Sequence, residues 1–209
     1  MTKLRDASCY VVAGWSGFYV MVVELLSGRL IAPYFGNSIY VWGSVIFVFM
    51  LGLAIGYLLG GLYSSRAPSL PRLSVLLALA AAVTLPCILF AEPLMGALFD
   101  HVDDPRYGSL LACFSLFFLP AVASGTISPY AVSILVRDAG TSGRRAGYLY
   151  FVSTVGSSAG TLLTSFFLVL WFEVNTILAG AMAISLVLAA VMAFLNRRSP
   201  GGEPAIDAS

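Results

Sequence analysis

Charged residues are scarce in this sequence. Only 10% of its 209 residues are Asp, Glu, Lys or Arg, whereas 59% are hydrophobic and the mean hydropathy is +0.93. A soluble domain carries about 25% charged residues, and a chain of this size cannot bury so much apolar surface in a core of its own. The composition therefore excludes a soluble globular domain and predicts an integral membrane protein, with the lipid bilayer as its first partner.

Cysteine is also rare, and the net charge is close to zero. Cys9, Cys87 and Cys113 match neither a disulfide framework nor a metal-binding spacing, so we interpret them as small apolar fillers. A net charge of +1 gives no bulk attraction to nucleic acid, so no nucleic-acid partner is expected.

The single histidine, His101, stands beside Asp100, Asp103 and Asp104. Histidine and carboxylates are metal ligands, but this spacing matches no known metal signature, and a solvated acidic loop is the interpretation we favour over a metal site. The sequence contains no nucleophile–base pair, no paired carboxylates and no metal-ligand set. We therefore expect no enzyme activity, no metal and no cofactor.

Six apolar stretches are each long enough to span a bilayer, which needs about 20 residues. They run over 10–32, 38–63, 73–90, 107–136, 147–171 and 175–195. The fold class predicted is an all-α integral membrane protein with six transmembrane helices. The fourth stretch contains Pro120 and Pro129, and each proline removes a backbone hydrogen bond, so this helix should be kinked or broken.

The loops between these stretches differ in charge from one side of the membrane to the other. One side is basic and carries nine of the eleven Lys and Arg residues: Lys3, Arg5, Arg66, Arg72, Arg137, Arg144, Arg145, Arg197 and Arg198. Basic residues mark the cytoplasmic side, which predicts that both termini are cytoplasmic. We expect one membrane domain over residues 1–198 and a disordered cytoplasmic tail over 199–209, where the sequence is polar and rich in Gly and Pro.

The helices also differ in the residues that they offer to neighbours. Stripes of small residues let helix backbones approach closely, and two helices carry such stripes. They are Gly52, Gly56 and Gly60 in the second stretch, and Ser153, Gly156, Ser157, Gly160, Thr161 and Thr164 in the fifth. The first and fourth stretches carry polar groups instead: Glu24 and Arg29, and then Ser124, Thr126, Ser128 and Tyr130. For the fourth stretch, a simple kink with hydroxyls bonded back to carbonyls is an equal alternative to a cavity wall.

Glu24 and Arg29 are the charges that need an explanation, because an intramembrane charge costs about 2.5–3.5 kcal/mol. Their spacing turns them about 140° apart around a helix, so they should face different neighbours. Arg29 lies nearer the outer interface and suits a structural role, whereas Glu24 is deeper and could bind a cation or take up a proton. A Glu neutralised by hydroxyls of a neighbouring helix is the structural alternative. Tyr34, Asn37 and Tyr40 follow, either in an interfacial aromatic belt or as the mouth of a cation-binding cavity.

Two blocks resemble a known family. "ELLSGRLIAPYFGNSIYVWGSVIFVFMLGLAIGYLLGG" and "AGYLYFVSTVGSSAGTLLTSFFL" are similar to the membrane domain of the fused major-facilitator/spermidine-synthase-like proteins (transmembrane spermidine synthase). Within these 209 residues no Gly-rich nucleotide-binding loop occurs, so we expect this chain to lack the synthase half. The resemblance implies half of a major facilitator fold, in which helices one and four line a cavity. It also implies a homodimer in the cell membrane (the bacterial inner membrane), with helix two of one copy against helix five of the other.

Two functions follow from the resemblance together with Glu24. The first is a half-sized transporter that works as a homodimer and moves a small solute by alternating access, with a polyamine-like cation as a candidate solute. The candidate substrate-binding residues are Glu24, Arg29, Tyr34, Asn37, Tyr40, Ser124, Thr126, Ser128 and Tyr130. The candidate dimer interface is Gly52, Gly56, Gly60, Ser153, Gly156, Ser157, Gly160 and Thr164. The second function is a non-transporting anchor or partner subunit for a separately encoded aminopropyltransferase.

Overall fold

The structure is a computed structural model that describes residues 2–65, 67–136 and 139–197. Within these ranges every regular element is helical. The tail expected to be disordered, 199–209, lies outside the described residues. The α-helices are α1 Thr2–Phe35, α2 Ile39–Ser64, α3 Leu70–Ala82, α4 Leu85–Leu89, α5 Ala91–His101, α6 Pro105–Gly125, α7 Ile127–Leu135, α8 Ser142–Leu163, α9 Val169–Trp171 and α10 Val174–Arg197.

Six helical segments are long and apolar enough to cross a membrane, which confirms the prediction of a multi-pass helical membrane protein. Spans 1 to 6 are Arg5–Phe35, Ile39–Ser64, Leu70–Leu89, Pro105–Leu135, Ser142–Trp171 and Val174–Asn196. We call the end of the bundle that holds loops 2–3 and 4–5 the terminal end, because span 1 begins there and span 6 ends there. The opposite end, with loops 1–2, 3–4 and 5–6, is the distal end.

Proline breaks two of the spans. Span 4 is interrupted at Thr126, between α6 and α7, because Pro129 has no N–H to continue the ladder of hydrogen bonds. This is the break that its prolines predict. Span 3 is interrupted in the same way at Val83 and Thr84, just before Pro86, and this break is new. Span 5 contains a π-helical turn at Thr164–Leu168, which no simple sequence rule marks.

The stretch expected to be an acidic loop contains a helix of its own. α5 buries Ala91 and Met95 in the core at the distal end, while Asp100 and His101 at its far end stay exposed. Its apolar side chains explain this difference, because they pack on the bundle while the charged residues collect after them. α5 therefore extends the distal end of the core beside α1 and α6.

The spans associate chiefly in three pairs: span 1 with span 5, span 2 with span 4, and span 3 with span 6. If span 1 is exchanged with span 4, span 2 with span 5 and span 3 with span 6, the same three pairs result. The smaller contacts follow the same exchange. Spans 1 and 2 touch, and so do spans 4 and 5. Spans 3 and 4 touch, and so do spans 6 and 1. The first three spans and the last three, which we call the two three-helix units, thus follow the same pattern of contacts.

Glycines make the two closest pairings possible. A Cβ at Gly56 would collide with the backbone of Val122 and Gly125 in span 4, and one at Gly156 would collide with the backbone of Gly14 in span 1. The neighbouring positions one turn away, Gly52 and Gly160, are similarly crowded. The number of residues between Gly52 and Gly156 equals the number between Gly56 and Gly160. This is expected if both units use the same pair of glycines, one helical turn apart, to pack against a neighbouring span.

Candidate functional site: the membrane-embedded carboxylate

Glu24 lies where several spans converge. Gly17, Glu24 and Gly28 fall on one stripe of α1, since seven residues make almost two helical turns and eleven make about three. Gly17 packs against the backbone of Ser153 in span 5, and Gly28 lies against the ring of Trp42 in span 2. Glu24 sits between these two contacts, on a face shared by spans 1, 2 and 5.

Span 4 is the fourth neighbour of this carboxylate. The carboxylate lies near the buried Cys113 of α6. The side chain of Glu24 is half-buried, and its carboxylate makes no hydrogen bond or ion pair with any residue that the structure describes. Ser27 donates its hydroxyl to the backbone carbonyl of Glu24 at 2.7 Å and leaves the carboxylate free. The carboxylate is therefore placed among four spans without a neutralising partner, and the clasp of neighbouring hydroxyls considered above is not observed.

The depth of Glu24 in span 1 is close to the middle of the membrane. Span 1 runs over Arg5–Phe35, so its midpoint falls at Val20. Glu24 is about 6 Å beyond that midpoint and Arg29 about 14 Å beyond it, at 1.5 Å per residue. The half-thickness of the hydrocarbon layer is about 15 Å. With the midpoint of span 1 placed at the membrane centre, Glu24 is within the apolar layer and Arg29 is at its edge.

Arg29 faces a different part of the molecule. It is exposed and lines a cavity at the distal end together with Trp171, Phe172 and Glu173, at the junction of spans 5 and 6. Within the described ranges Arg29 forms no ion pair, either with Glu24 or with Glu173. The two charges on α1 therefore face different neighbours, as their helical phase predicts.

The residues of the proposed cavity mouth are engaged with other parts of the chain. Asn37 accepts a hydrogen bond from the indole nitrogen of Trp42 at 2.7 Å. The guanidinium of Arg106 lies 5.8 Å from the ring centre of Tyr40, within the range of a cation–π contact. Tyr34 is partly buried against the distal core. The chain's own Arg106 thus occupies the aromatic face that a cationic solute would use.

Asp104 fixes Arg106 in that place. Its carboxylate accepts hydrogen bonds from Nε and Nη2 of Arg106 at 2.6 to 3.1 Å, and one from the backbone N–H of Arg106 at 2.9 Å. These side-chain and backbone hydrogen bonds from Arg106 hold the pKa of Asp104 below its usual value. Asp104 therefore keeps its charge and caps α6 until the pH falls below the range in which a free Asp would take up a proton.

The polar residues of span 4 are not gathered around Glu24. Thr126 donates its hydroxyl back to the carbonyl of Ala123 at 2.7 Å, which is the structural alternative considered for this helix. Tyr130 is fully buried, stacks on Tyr63 and accepts a hydrogen bond from the backbone N–H of Ser69 at 3.1 Å. Tyr130 lies about 8 Å from the terminal end of α7. It holds loop 2–3, at a different membrane depth from Glu24.

The other two span-4 hydroxyls give no direct link to Glu24 either. Ser124 is buried at the end of α6, and Ser128 is partly buried at the start of α7. Both lie in the half of span 4 nearer the terminal end, whereas Cys113, the span-4 residue near Glu24, lies in the distal half. The structure thus brings Glu24 together with Cys113 rather than with the hydroxyls singled out in the sequence.

The small residues of the expected dimer interface have neighbours within the chain. Its small residues face spans of the same chain: Gly52, Gly56 and Gly60 face span 4, and Ser153, Gly156, Ser157 and Gly160 face span 1. Thr164 is fully buried. Backbone atoms fill the space beside the glycines, so another subunit cannot use it. The physical reason is that a small-residue stripe predicts a close neighbour but does not say which one.

Sequence reasoning missed a cluster at the terminal end. Arg5 donates to the carbonyl of Ile134 at 3.0 Å, and Arg145 donates to the carbonyl of Leu135 at 2.8 Å and forms an ion pair with Asp6 at 3.4 Å. The last carbonyls of a helix have no partner within that helix, and these two guanidinium groups satisfy them. Basic residues near the ends of spans are the sequence feature that indicates such a cluster. The same residues also indicate the orientation of the chain.

His101 takes part in a local helix contact. Its Nδ1 lies 2.7 Å from the carbonyl of Ala97, one turn earlier in α5. In the part of the chain that the structure describes, no three His, Cys, Asp or Glu residues come together in a way that could hold a metal ion.

Comparisons with protein-family models, with curated proteins and with solved structures gave no match to this chain. The resemblance to the membrane domain of the fused major-facilitator/spermidine-synthase-like proteins therefore stays a prediction from the sequence. The structure establishes a helical, multi-pass membrane protein. Its Glu24 carboxylate lies among spans 1, 2, 4 and 5 and pairs with none of the residues that the structure describes.

Proposed function

We propose that this chain is half of a major-facilitator-like transporter, that it works as a homodimer, and that it moves a small cationic solute of the polyamine kind by alternating access. The observation that carries the proposal is the half-buried carboxylate of Glu24, without a partner in the described residues and near the membrane centre. A bare carboxylate against lipid costs about 2.5–3.5 kcal/mol. A water-filled cavity, or a bound cation, removes most of that cost.

The exchange symmetry of the spans supports the transporter half. Many transporter folds consist of repeated helix units with a binding site near the membrane midplane, where the units meet. Here the two three-helix units meet where span 1 approaches spans 4 and 5, and Glu24 lies on that part of span 1. The basic residues at the terminal end, Arg5, Arg72, Arg144 and Arg145 among them, support placing this end in the cytoplasm.

The uncovered surface of span 5 supports a second copy. In α8 only Leu149 and Gly160 are buried, because span 5 packs mainly on span 1, touches span 4 to a smaller extent, and is open over much of its surface. Its open side carries a stripe of exposed Tyr150, Thr154 and Ser158, and Tyr150 lies near Tyr57 of span 2. We place the contact between copies on this open face of spans 2 and 5, which replaces the glycine stripes.

A homodimer of this kind encloses two copies of Glu24 in one cavity. Two carboxylates suit a solute with ammonium groups at two ends, because each end gains a charge-assisted hydrogen bond. Alternating access then requires the two copies to rock about the cavity and expose it first to one side and then to the other.

Uptake by the purified protein in liposomes tests the proposal. Polyamines should be compared with amino acids, sugars and inorganic cations, with and without a pH gradient. Glu24→Gln should lower uptake of the accepted solute at least about tenfold, the effect of about 1.4 kcal/mol of lost interaction. Glu92→Gln is the matched control, since Glu92 is exposed on α5 outside the spans, and it should transport normally.

Two results would contradict the proposal. One is equal transport by the Glu24→Gln and wild-type proteins. The other is no transport of any solute by a folded wild-type protein that co-purifies with an aminopropyltransferase-like enzyme, which would favour the anchor function instead.

A further inference from the structure

An apolar groove runs between span 1, the distal part of span 5 and span 6. Its volume is about 350 Å³, and its walls are almost wholly hydrocarbon. Trp15 and Phe18 of α1 form one wall, Phe172 lies at the distal part, and Ile177, Gly180 and Ala181 of α10 form the other wall. The indole nitrogen of Trp15 donates to the hydroxyl of Ser185 at 2.8 Å, which fixes the ring as part of the wall.

Gly180 creates part of the space in this groove. A Cβ at this position would meet no atom within 4 Å. Gly180 is therefore not at a close helix–helix contact, whereas Gly56 and Gly156 are. A larger side chain at Gly180 would fill the groove without disturbing the helices that form it.

A polar cavity adjoins the groove at the distal end. It has a volume of about 450 Å³, and Phe172 lines both spaces. Its other walls include Arg29, Trp171 and Glu173. Both charged residues are exposed, and among the described residues neither has an ion-pair partner. Arg29 lies at the edge of the hydrocarbon layer, about 14 Å from the midpoint of span 1, where lipid headgroups begin.

We propose that the groove and the polar cavity together bind one zwitterionic phospholipid with a primary ammonium group, of the phosphatidylethanolamine class. An acyl chain lies along Trp15, Phe18 and Gly180. The phosphate pairs with Arg29, because a guanidinium binds phosphate through two parallel hydrogen bonds. The ammonium group pairs with Glu173.

The charges of the polar cavity select this headgroup. A phospholipid whose headgroup is only anionic would satisfy Arg29 but would leave Glu173 beside a second negative charge. A choline headgroup carries a positive charge but no N–H to donate to the carboxylate. A phosphatidylethanolamine headgroup supplies both an anion for Arg29 and a hydrogen-bonding cation for Glu173.

Native mass spectrometry of the purified protein tests the site. The protein is reconstituted with equal amounts of phosphatidylethanolamine, phosphatidylglycerol and phosphatidylcholine, extracted in mild detergent, and weighed with its bound lipid. The wild type should retain one phosphatidylethanolamine per chain. Gly180→Phe should lower that retention at least about tenfold. Ala190→Phe is the matched control on the same helix, exposed and outside the groove, and should retain the lipid.

The headgroup assignment has its own variant. Glu173→Gln removes the carboxylate and should make phosphatidylglycerol compete equally with phosphatidylethanolamine. Equal retention of all three lipids by the wild type would overturn the headgroup assignment. Unchanged retention in Gly180→Phe would overturn the site. Loss of the dimer instead of the lipid in Gly180→Phe would show that a second copy of the chain covers the groove. Transport activity does not enter any of these readouts.

Discussion

Among single residues, Glu24 carries a desolvation cost that no described neighbour offsets. Both the position of Glu24 along α1 and the direction in which its side chain points determine its surroundings. Four residues toward the terminal end it would lie at the membrane centre, and five residues toward the distal end it would reach the interface, as Arg29 does. Its direction places it beside Cys113 rather than beside the distal charges. Depth and phase together therefore make Glu24 the residue most suited to bind a cation.

Glycines at the helix contacts are the second group of residues with a specific role, because the neighbouring backbone leaves no space for a side chain. Gly56→Ala should destabilise the protein by about 1–3 kcal/mol, because the new methyl group would collide with backbone atoms of span 4, which cannot rotate away. Gly61→Ala is the control, since a Cβ there meets nothing within 4 Å. It should leave stability unchanged or raise it, as alanine is the better helix former. The measurement is the thermal unfolding midpoint in detergent. Equal midpoints for the two variants would contradict the packing of span 2 on span 4.

Among the helical elements, their ends matter as much as their interiors. Span 4 is broken at Thr126, and its terminal end finishes in carbonyls that no further turn satisfies. Arg5 from span 1 and Arg145 from span 5 supply the missing donors. The cluster joins the terminal ends of spans 1, 4 and 5, the three spans whose distal parts surround or approach Glu24.

Removal of one of these donors should loosen that end. Arg145→Ala should cost about 1.5–3 kcal/mol, because it removes a charged hydrogen bond to the carbonyl of Leu135 and the ion pair with Asp6. Arg144→Ala changes the same charge at the next residue, which is exposed, and should cost much less. Hydrogen exchange at residues 130–136 reports the effect directly. Comparable exchange rates in the two variants would show that Arg145 does not hold the end of span 4.

Some features of the helices can be predicted from the sequence and others cannot, because they have different physical causes. Hydropathy predicts all six spans, since a bilayer imposes one length and one composition on each. Pro129 predicts the break in span 4. The helix over Ala91–His101 escapes prediction because its acidic end and short length resemble a loop. The π-helical turn at Thr164–Leu168 has no local signal. The glycine stripes predict close contacts, but only the three-dimensional arrangement shows that their partners belong to the same chain.

For the whole molecule, the three span pairs leave one face incomplete. Spans 1 and 5, 2 and 4, and 3 and 6 satisfy one another, while the outer side of span 5 and the carboxylate of Glu24 remain uncovered. The sequence predicts that Glu24 is important, but it cannot show that the residue stays unpaired after folding, because every hydroxyl in spans 4 and 5 was a possible partner. Among the residues that the structure describes, none of these hydroxyls bonds to the carboxylate.

The central claim is that Glu24 opens onto a water-filled cavity in the assembled protein. Its most direct test is the rate at which a membrane-impermeant, cationic thiol reagent labels a Glu24→Cys variant in liposomes. Cys9, Cys87 and Cys113 are buried, so the wild type serves as the blank. Val187→Cys is the control, since Val187 is exposed near the middle of span 6 on a bland apolar helix. We predict that the Glu24→Cys variant reacts at least about tenfold faster than the Val187→Cys variant, since water reaches one position and hydrocarbon excludes it from the other. Equally slow labelling of the two variants would contradict the cavity, and with it the transport function.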